Sequence, residues 1–534
     1  MAGHVFIMRG DLRRLACDAW LMPCNRHAWP EPYWLLPGWE ARLRPIAPTS
    51  DVAPAPQVWR LPEWPADRPR PYLTQIGTRA GREVDWYLTG VRRFVAAAAG
   101  DLAGRRPLFG RPRPLIALPV VGAGRGGAAF RSREVLRELL PVLYEAAATT
   151  GFDLALMTFG GPALAAAQAD RHRLDGGAWT ELPGPQAEAA DALALRAGRG
   201  ELALFLGAGV SCGAGVPLWG GLLDELAAAA GMPGSERDDL RQLDPLDQAA
   251  ILERRFGGRA RLHAALRELF LTRWDTFYAP AHLLPAALPV ADVITTNFDR
   301  LFETAWTDVL RTRPDRDPPG GRPSVLPHAA RPGAVRRLLK MHGCVTDPSE
   351  IVLTRGDFLG YSRRREALAG IVQAMLLTRH MLFVGFSMDD DNFHRIADSV
   401  RQVVRPGGAA AGAGGGAFGT MLRLGRNRLV EELWSGDLVP VCMADAPEAV
   451  MAPADRAAAA RTLEIFLDRL LARTRDAAHL LDPAHQEGLT DEERNLRAAL
   501  APLASRLPPP GPDRHPAWTK IAGLLEELGH RTEG

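Results

Sequence analysis

Residues 202–206, LALFL, run without a polar interruption into the loop GAGVSCGAGVP and then into LWGGLLDELAAAA, whose apolar spacing is helical. An apolar run of this length reads as a strand buried on both faces, and such strands belong to parallel sheets covered by helices on both sides. Gly207, Gly209, Gly213 and Gly215 fall where the strand ends, which lets the backbone turn sharply and approach a neighbour closely. Loop N–H groups and a helix N-terminus then face one place, a geometry that suits a phosphate. The spacing is not the dinucleotide fingerprint G-x-G-x-x-G, since three residues separate Gly209 from Gly213, and the Gly-Lys-Ser/Thr of a P-loop is missing. Taken alone, the stretch also reads as a structural turn.

Other short apolar runs follow: ADVITTN, RRLLKMHG, EIVLT, HMLFVGFS and GDLVPVCMA, with helical patterns between several of them. That alternation predicts a doubly wound parallel sheet. Ligands of such sheets sit outside the carboxyl ends of the strands. Thr295, Thr296, Asn297 and Asp299 fall at one such end, His342 and Gly343 at a second, and Gly385, Ser387 and Asp390 at a third. Each has an ordinary reading: Asn297 or Asp299 as a cap for RLFETAWTDVL, His342 as a satisfied core histidine, Asp390 as a cap for NFHRIADSV. Four polar clusters at four strand ends, the glycine loop included, are better explained together, as one site.

A chain of 534 residues exceeds a single core, and three zones separate. Residues 1–185 carry HVFIMRG, AWLMPCN, PLIALPVVGAG and FDLALMTFGG, with the helical SREVLRELLPVLYEAAATTG between the last two, which predicts an α/β layer. The Pro- and Trp-rich stretch 26–113 resists assignment. Residues 190–450 hold the parallel sheet, with RPGGAAAGAGGGAFG (405–419) as a low-complexity loop, and 451–534 read as a helical tail. Net charge is +2, and the arginines are interleaved with acids, so neither nucleic acid nor a membrane surface is indicated. Lysine occurs only as Lys340 and Lys520. The five cysteines, Cys17, Cys24, Cys212, Cys344 and Cys442, never stand as C-x-x-C, so no disulfide framework and no structural metal site is expected. No secretion signal or membrane span is evident, and a soluble cytoplasmic protein is expected.

At this point the central zone resembles a sirtuin-type domain, over about residues 195–450. GAGVSCGAGVP is similar to the family's opening G-A-G-x-S-x-x-x-G-x-P, TTNFD to its T-Q-N-x-D, MHG to its histidine–glycine pair and GFSM to its G-T-S-L turn. The two C-x-x-C pairs of deacetylating sirtuins are missing, and Leu218, Trp219 and Gly220 replace the Asp-Phe-Arg after the proline. TTNFD with GFS-x-x-D-x-N looks instead like the sirtuin-like effectors of bacterial antiphage defence. The resemblance implies a Rossmann-type sheet and an NAD glycohydrolase, with NAD as substrate and no metal, that depletes cellular NAD in abortive infection. It implies Asn297 and His342 as the catalytic pair, with Gly207, Ala208, Gly209, Ser211, Pro217, Asp299, Gly385, Ser387 and Asp390 around the dinucleotide. The alternatives are an NAD-dependent protein deacylase or ADP-ribosyltransferase, and a catalytically silent nucleotide sensor.

The first zone resembles a macro-type domain. Gly10-Asp11, Asp18-Ala19 and Asn25 match the family's opening pattern, and Gly122, Gly124, Gly126 and Gly127 its later phosphate loop. An ADP-ribose-type ligand is implied there, with Asp11 accepting from an adenine amine and the 122–127 amides on a pyrophosphate. RHAWPEPYWLLPGW stands where the family's own glycine-rich loop belongs, so hydrolysis of ADP-ribose adducts is not expected. Such a ligand would gate the central zone. A further copy of the chain, assembled through the helical tail, and a partner defence protein complete the expected partners.

Overall fold

The computed structural model describes the chain apart from residues 1, 26, 36–56, 62–63, 77–82, 123–131, 175–176, 312–317, 319–320, 405–416, 475, 510, 512–513 and 531–534. It divides into two compact units: Met1–Glu181 with Asp308–Pro319 and Arg475–Gly534, and Leu182–Thr307 with Gly320–Thr474. The stretch read from the sequence as one helical tail is shared between them. The helix Pro453–Arg473 belongs to the second unit and residues 475–534 to the first.

The first unit is built on β1 (Val5–Arg9), β2 (Ala19–Cys24), β3 (Val58–Arg60), β4 (Arg70–Gln75), β5 (Leu115–Pro119) and β6 (Asp153–Thr158). Their order is β1-β6-β5-β2-β4-β3, parallel throughout except for β3 against β4. Helices Val84–Leu102, Ser132–Thr150 and Gly161–Arg173 accompany the sheet. The Ser132–Thr150 helix follows the apolar period of its sequence, whereas β3 and β4 arise in the Pro- and Trp-rich stretch. Asp18 fixes the entry to β5. Its two carboxylate oxygens each accept a backbone N–H, from Leu108 and Leu115, both at 2.7 Å.

The second unit carries β7 (Leu202–Leu206), β8 (Asp292–Thr295), β9 (Ser324–Leu326), β10 (Arg337–Lys340), β11 (His380–Val384), β12 (Gly419–Arg423) and β13 (Leu438–Cys442). All pair in parallel, in the order β13-β12-β11-β7-β8-β10-β9. From β7 the chain winds one way through β8 to the edge, then returns to β11 on the other side of β7 and winds outward. The switch point of this doubly wound sheet therefore lies at β7 and its neighbours. Leu206 is in register with Thr295 and with Val384, and Thr295 with Lys340, so the loops leaving β7, β8, β10 and β11 emerge side by side.

Two expectations are revised. EIVLT is not a strand: Pro348–Glu350 is a 3-10 turn and Ile351–Leu353 is buried without joining the sheet. The Val352 N–H donates instead to the carbonyl of His342, at 2.9 Å. Conversely, β12 begins at the end of the low-complexity segment, of which 405–416 lie outside the described residues, and the three-residue β9 had no recognisable pattern. The core beneath the site is aromatic. Phe205 of β7 has its ring 5.1 Å from Phe383, 4.6 Å from Phe386 and 5.2 Å from Phe393. Burial of each such ring contributes about 1.5–3 kcal/mol, which anchors the loops after β7 and β11 from below. On another face, helix Pro453–Arg473 packs against Gly184–Gly198, with Arg469 bidentate on Asp191 at 2.9 and 2.7 Å. Among the described residues no helix is long and apolar enough to cross a membrane.

Candidate functional site

The glycines after β7 meet the loop after β11 backbone to backbone. Gly207 N–H donates to the Val384 carbonyl at 3.0 Å and Gly209 N–H to the Gly385 carbonyl at 2.9 Å. A Cβ on Gly207 would lie 2.5 Å from the Gly385 oxygen, and one on Gly209 2.7 Å from the Gly385 Cα. Gly385 itself takes φ +64°. The tight approach anticipated for a pyrophosphate is thus made, at these two residues, by the chain's own neighbouring loop, and their amides are already engaged. Ala208 lies between them. After Pro217, the helix Trp219–Ala229 is preceded by Leu218, whose side chain makes no capping hydrogen bond.

Beneath this crossing lies a hydrogen-bonded cluster centred on Ser211, which is fully buried. The Ala279 N–H donates to Nδ1 of His282 at 3.0 Å, so the neutral imidazole carries its proton on Nε2 and donates it to Ser211 Oγ, at 3.1 Å. Burial holds the His282 pKa down at about 4. Ser211 Oγ donates in turn to Asp299 Oδ2 at 2.9 Å and accepts from Asn297 Nδ2 at 3.3 Å. A serine, a histidine and an aspartate meet here with the polarity opposite to that of a nucleophilic triad, because this histidine is a donor and removes no proton from the serine. The Ser211 hydroxyl, expected near the dinucleotide, has an internal role here: one donor and two acceptor positions are all taken.

The second hydrogen of the Asn297 amide goes to the Gly207 carbonyl at 3.1 Å, and its backbone N–H to Thr295 Oγ1 at 3.0 Å. Both amide hydrogens are therefore fixed. Oδ1 is left as a buried acceptor without a hydrogen-bond partner. Asp299 also accepts from the Leu301 N–H at 3.0 Å, so the capping reading of this residue holds as well.

His342 stands two residues beyond Lys340, as Asn297 stands two beyond Thr295, on adjacent strands in register. It is 2% exposed, and its ring packs edge-on against Phe358 and Tyr361, with centroids 5.3 and 6.1 Å away. Burial lowers its pKa against the opposing pull of Asp390, which keeps the ring neutral near pH 7. Nε2 lies 3.3 Å from Asp390 Oδ2 yet makes no hydrogen bond. Asp390 Oδ1 accepts the Phe393 N–H at 2.8 Å, so this carboxylate both caps the Asp391–Val404 helix and faces the histidine. Gly343 is held at φ +86°, where a Cβ would lie 2.3 Å from the Glu350 carbonyl oxygen.

Asn392 and His282 were not singled out by the sequence reading. Asn392 is 1% exposed, and neither its Oδ1 nor its Nδ2 has a hydrogen-bond partner. Leaving such groups unpaired costs about 1–3 kcal/mol each, a cost that a polar ligand would offset. The motif GFS-x-x-D-x-N ends on Asn392 and was the available signal. His282 had none: it comes from the wholly buried helix Pro280–Ala286. Ser387 is exposed, with Oγ accepting from the Asp389 N–H at 3.4 Å.

In the first unit, the residues assigned to a second nucleotide site have local structural partners. Asp11 caps the 3-10 turn Leu12–Arg14 and is held by the Arg13 guanidinium, with Nε 2.9 Å from Oδ1. Asn25 Oδ1 closes a turn by accepting from the N–H groups of His27 and Trp29, at 2.9 and 3.1 Å. Gly122 takes φ +81°, and Gly124, Gly126 and Gly127 lie outside the described residues.

Comparison with known proteins falls on the central region of the chain. Residues 291–406, which include Asn297, His342, Gly385 and Asp390, match the family model of the SIR2-like domain. The chain is 30% identical over 209 residues to "NAD(+) hydrolase ThsA" of Enterococcus faecium, covering 39% of this chain and 41% of that protein. It is 30% identical over 199 residues to the protein of the same name from Bacillus cereus (strain MSX-D12), covering 37% and 40%. It is 25% identical over 213 residues to "Defense-associated sirtuin 2" of Bacillus subtilis, covering 38% and 20%. The similarity thus spans less than half the length of these relatives, and it supports a sirtuin-like reading of the central region.

Proposed function

We propose that the second unit is an NAD glycohydrolase, cleaving NAD to nicotinamide and ADP-ribose. The observation that carries this reading is the pair of buried atoms without a hydrogen bond, Asn297 Oδ1 and His342 Nε2 (the latter facing Asp390), at the carboxyl ends of neighbouring strands inside the SIR2-like stretch. In the reaction the bond between the ribose anomeric carbon and the nicotinamide nitrogen breaks, and its electron pair neutralises the departing cationic ring, so no general acid is required. The sugar carbon gains oxocarbenium character and is captured by water. With both amide hydrogens tied to Ser211 and Gly207, Asn297 has only an acceptor to offer, and it receives a hydrogen bond from the water or from a ribose hydroxyl. The neutral imidazole of His342 accepts a proton, typically worth 10²–10⁴-fold in rate, and the Asp390 carboxylate stabilises the resulting imidazolium. Asn392 supplies a further amide to the substrate, and the uncapped first turn at Trp219 suits the pyrophosphate.

The setting we infer is an antiphage effector in the cytoplasm that depletes cellular NAD and acts as a homo-oligomer or with a partner defence protein. The first unit would bind an ADP-ribose-type nucleotide that gates turnover, which requires the ligand to prefer the active state. The test is nicotinamide release from NAD by the purified full chain. Turnover is expected, falling at least 100-fold in Asn297→Ala and in His342→Ala while circular dichroism stays native, and changing when ADP-ribose is added. Retained turnover in either variant removes that residue from the mechanism. Transfer of the labelled ADP-ribosyl group from NAD to protein in place of water would point to a transferase.

A further inference from the structure

A second cluster of chemically versatile side chains, joined through Lys340 to the carbonyls of Phe298 and Asp299, takes no part in the reaction above. Glu303 of the helix Leu301–Leu310, His328 after β9 and Cys344 after β10 bring one donor atom each to within 4.8 Å of one another. Cys344 is fully buried, while the other two are half-buried, which opens the cluster on one side. Its Sγ accepts from Lys340 Nζ and from Thr346 Oγ1, both at 3.2 Å, and is hydrogen-bonded to His328. The same sulfur donates toward Glu303 Oε1, at 3.9 Å.

Lys340 is 1% exposed, in a chain whose other positive side chains are, Lys520 aside, all arginine. The compact ammonium fits where a planar guanidinium would not. Besides the sulfur it reaches the carbonyls of Phe298, at 3.4 Å, and Asp299, and it stands 3.6 Å from Glu303 Oε2. That carboxylate oxygen is shielded from solvent and has no hydrogen-bond partner. An unpartnered carboxylate oxygen, an imidazole and a sulfur thus converge on one place beside the Lys340 ammonium.

We propose that Glu303, His328 and Cys344 are the protein ligands of a divalent transition-metal site of the zinc class. Thiolate with imidazole and one carboxylate selects zinc over magnesium or calcium, which prefer oxygen ligands alone. Donors around a tetrahedral zinc are separated by roughly 3.4–3.8 Å, given bonds of about 2.0–2.3 Å. The Cys344 Sγ to Glu303 Oε1 distance, 3.9 Å, is already close to that. Three protein ligands leave the fourth position to water, on the half-exposed side. Lys340 serves as the outer-shell donor to the thiolate and ties the site to the carbonyls of the 298–299 loop.

The test uses the full chain, stripped with a chelator and titrated with Co²⁺ with no NAD present, so that the outcome is independent of the enzymatic reading. One equivalent is expected to bind and to give the near-ultraviolet thiolate-to-cobalt charge-transfer band, which Zn²⁺ then displaces. Cys344→Ser should abolish the band, and Glu303→Gln or His328→Gln should weaken binding at least tenfold. Absence of the band in the wild-type chain overturns the proposal, as does its persistence in Cys344→Ser through another cysteine. Should Cys344→Ser fail to fold, the half-exposed His328→Gln decides, and unchanged Co²⁺ affinity there is equally fatal.

Discussion

Replacing Ser211 by alanine separates a hydroxyl that holds a substrate from one that holds the protein. The variant removes one donor and two acceptor positions at a site with no solvent access, and it leaves the His282 Nε2–H, one Asn297 amide hydrogen and Asp299 Oδ2 without their partner. Each neutral group stranded in this way costs about 1–3 kcal/mol, and a charged one more. The void left by one oxygen is small for a water that would need several partners. Summed with allowance for relaxation, the expected loss is about 4 kcal/mol, which at roughly 2–4 °C per kcal/mol lowers the melting temperature of this unit by roughly 10 °C. The Asn297 amide keeps its bond to the Gly207 carbonyl, so its orientation loosens without being lost, and kcat for nicotinamide release should fall about tenfold with KM nearly constant. Differential scanning calorimetry and steady-state kinetics read the two effects separately. An unchanged melting temperature with KM raised alone would refute the internal role and return the hydroxyl to the phosphate.

Two further outcomes follow from the same geometry. His282 has a folded pKa of about 4 against an ordinary value of 6.5, so the unfolded chain binds the extra proton first. Its contribution is complete above pH 6.5 and is lost as pH falls toward 4, about 3 kcal/mol in all; urea midpoints measured across that range should show the decline, and His282→Gln should flatten part of it. Gly385→Ala would set a methyl 2.5 Å from the Val210 nitrogen at a left-handed φ, so the loops after β7 and β11 must part, and both thermal stability and turnover should drop sharply. Wild-type values for both would show that the crossing tolerates a side chain.

The parallel sheet of the second unit was legible because β7, β8, β10 and β11 are apolar runs ended by glycine or polar residues, and their carboxyl ends held the candidate residues. EIVLT shows the limit of that signal: its residues are buried, but against the His342 loop, and burial alone does not pair a strand. The glycines of GAGVSCGAGVP illustrate another. A close backbone approach was legible, but its partner, Gly385, lies far along the chain, and spacing cannot name what approaches. Ser211 follows the same logic, since its environment is set by His282 and Asp299, neither of which is a sequence neighbour. Glu303, His328 and Cys344 form no spacing pattern at all; three separate elements bring them together, which is why a count of C-x-x-C pairs could not find them. In the first unit, β3 and β4 were obscured by prolines such as Pro71, which sits inside β4.

The order in which the strands are laid down has a consequence during synthesis. Gly207, Asn297, His342 and Asp390 leave the ribosome in that sequence, yet β11, which must slot in beside the first-made strand of the unit, is among the later ones to emerge. Until it does, the glycine loop has nothing to lean on and Asp390 is absent. A half-made or prematurely terminated chain therefore lacks the assembled set of strand ends on which the candidate residues meet.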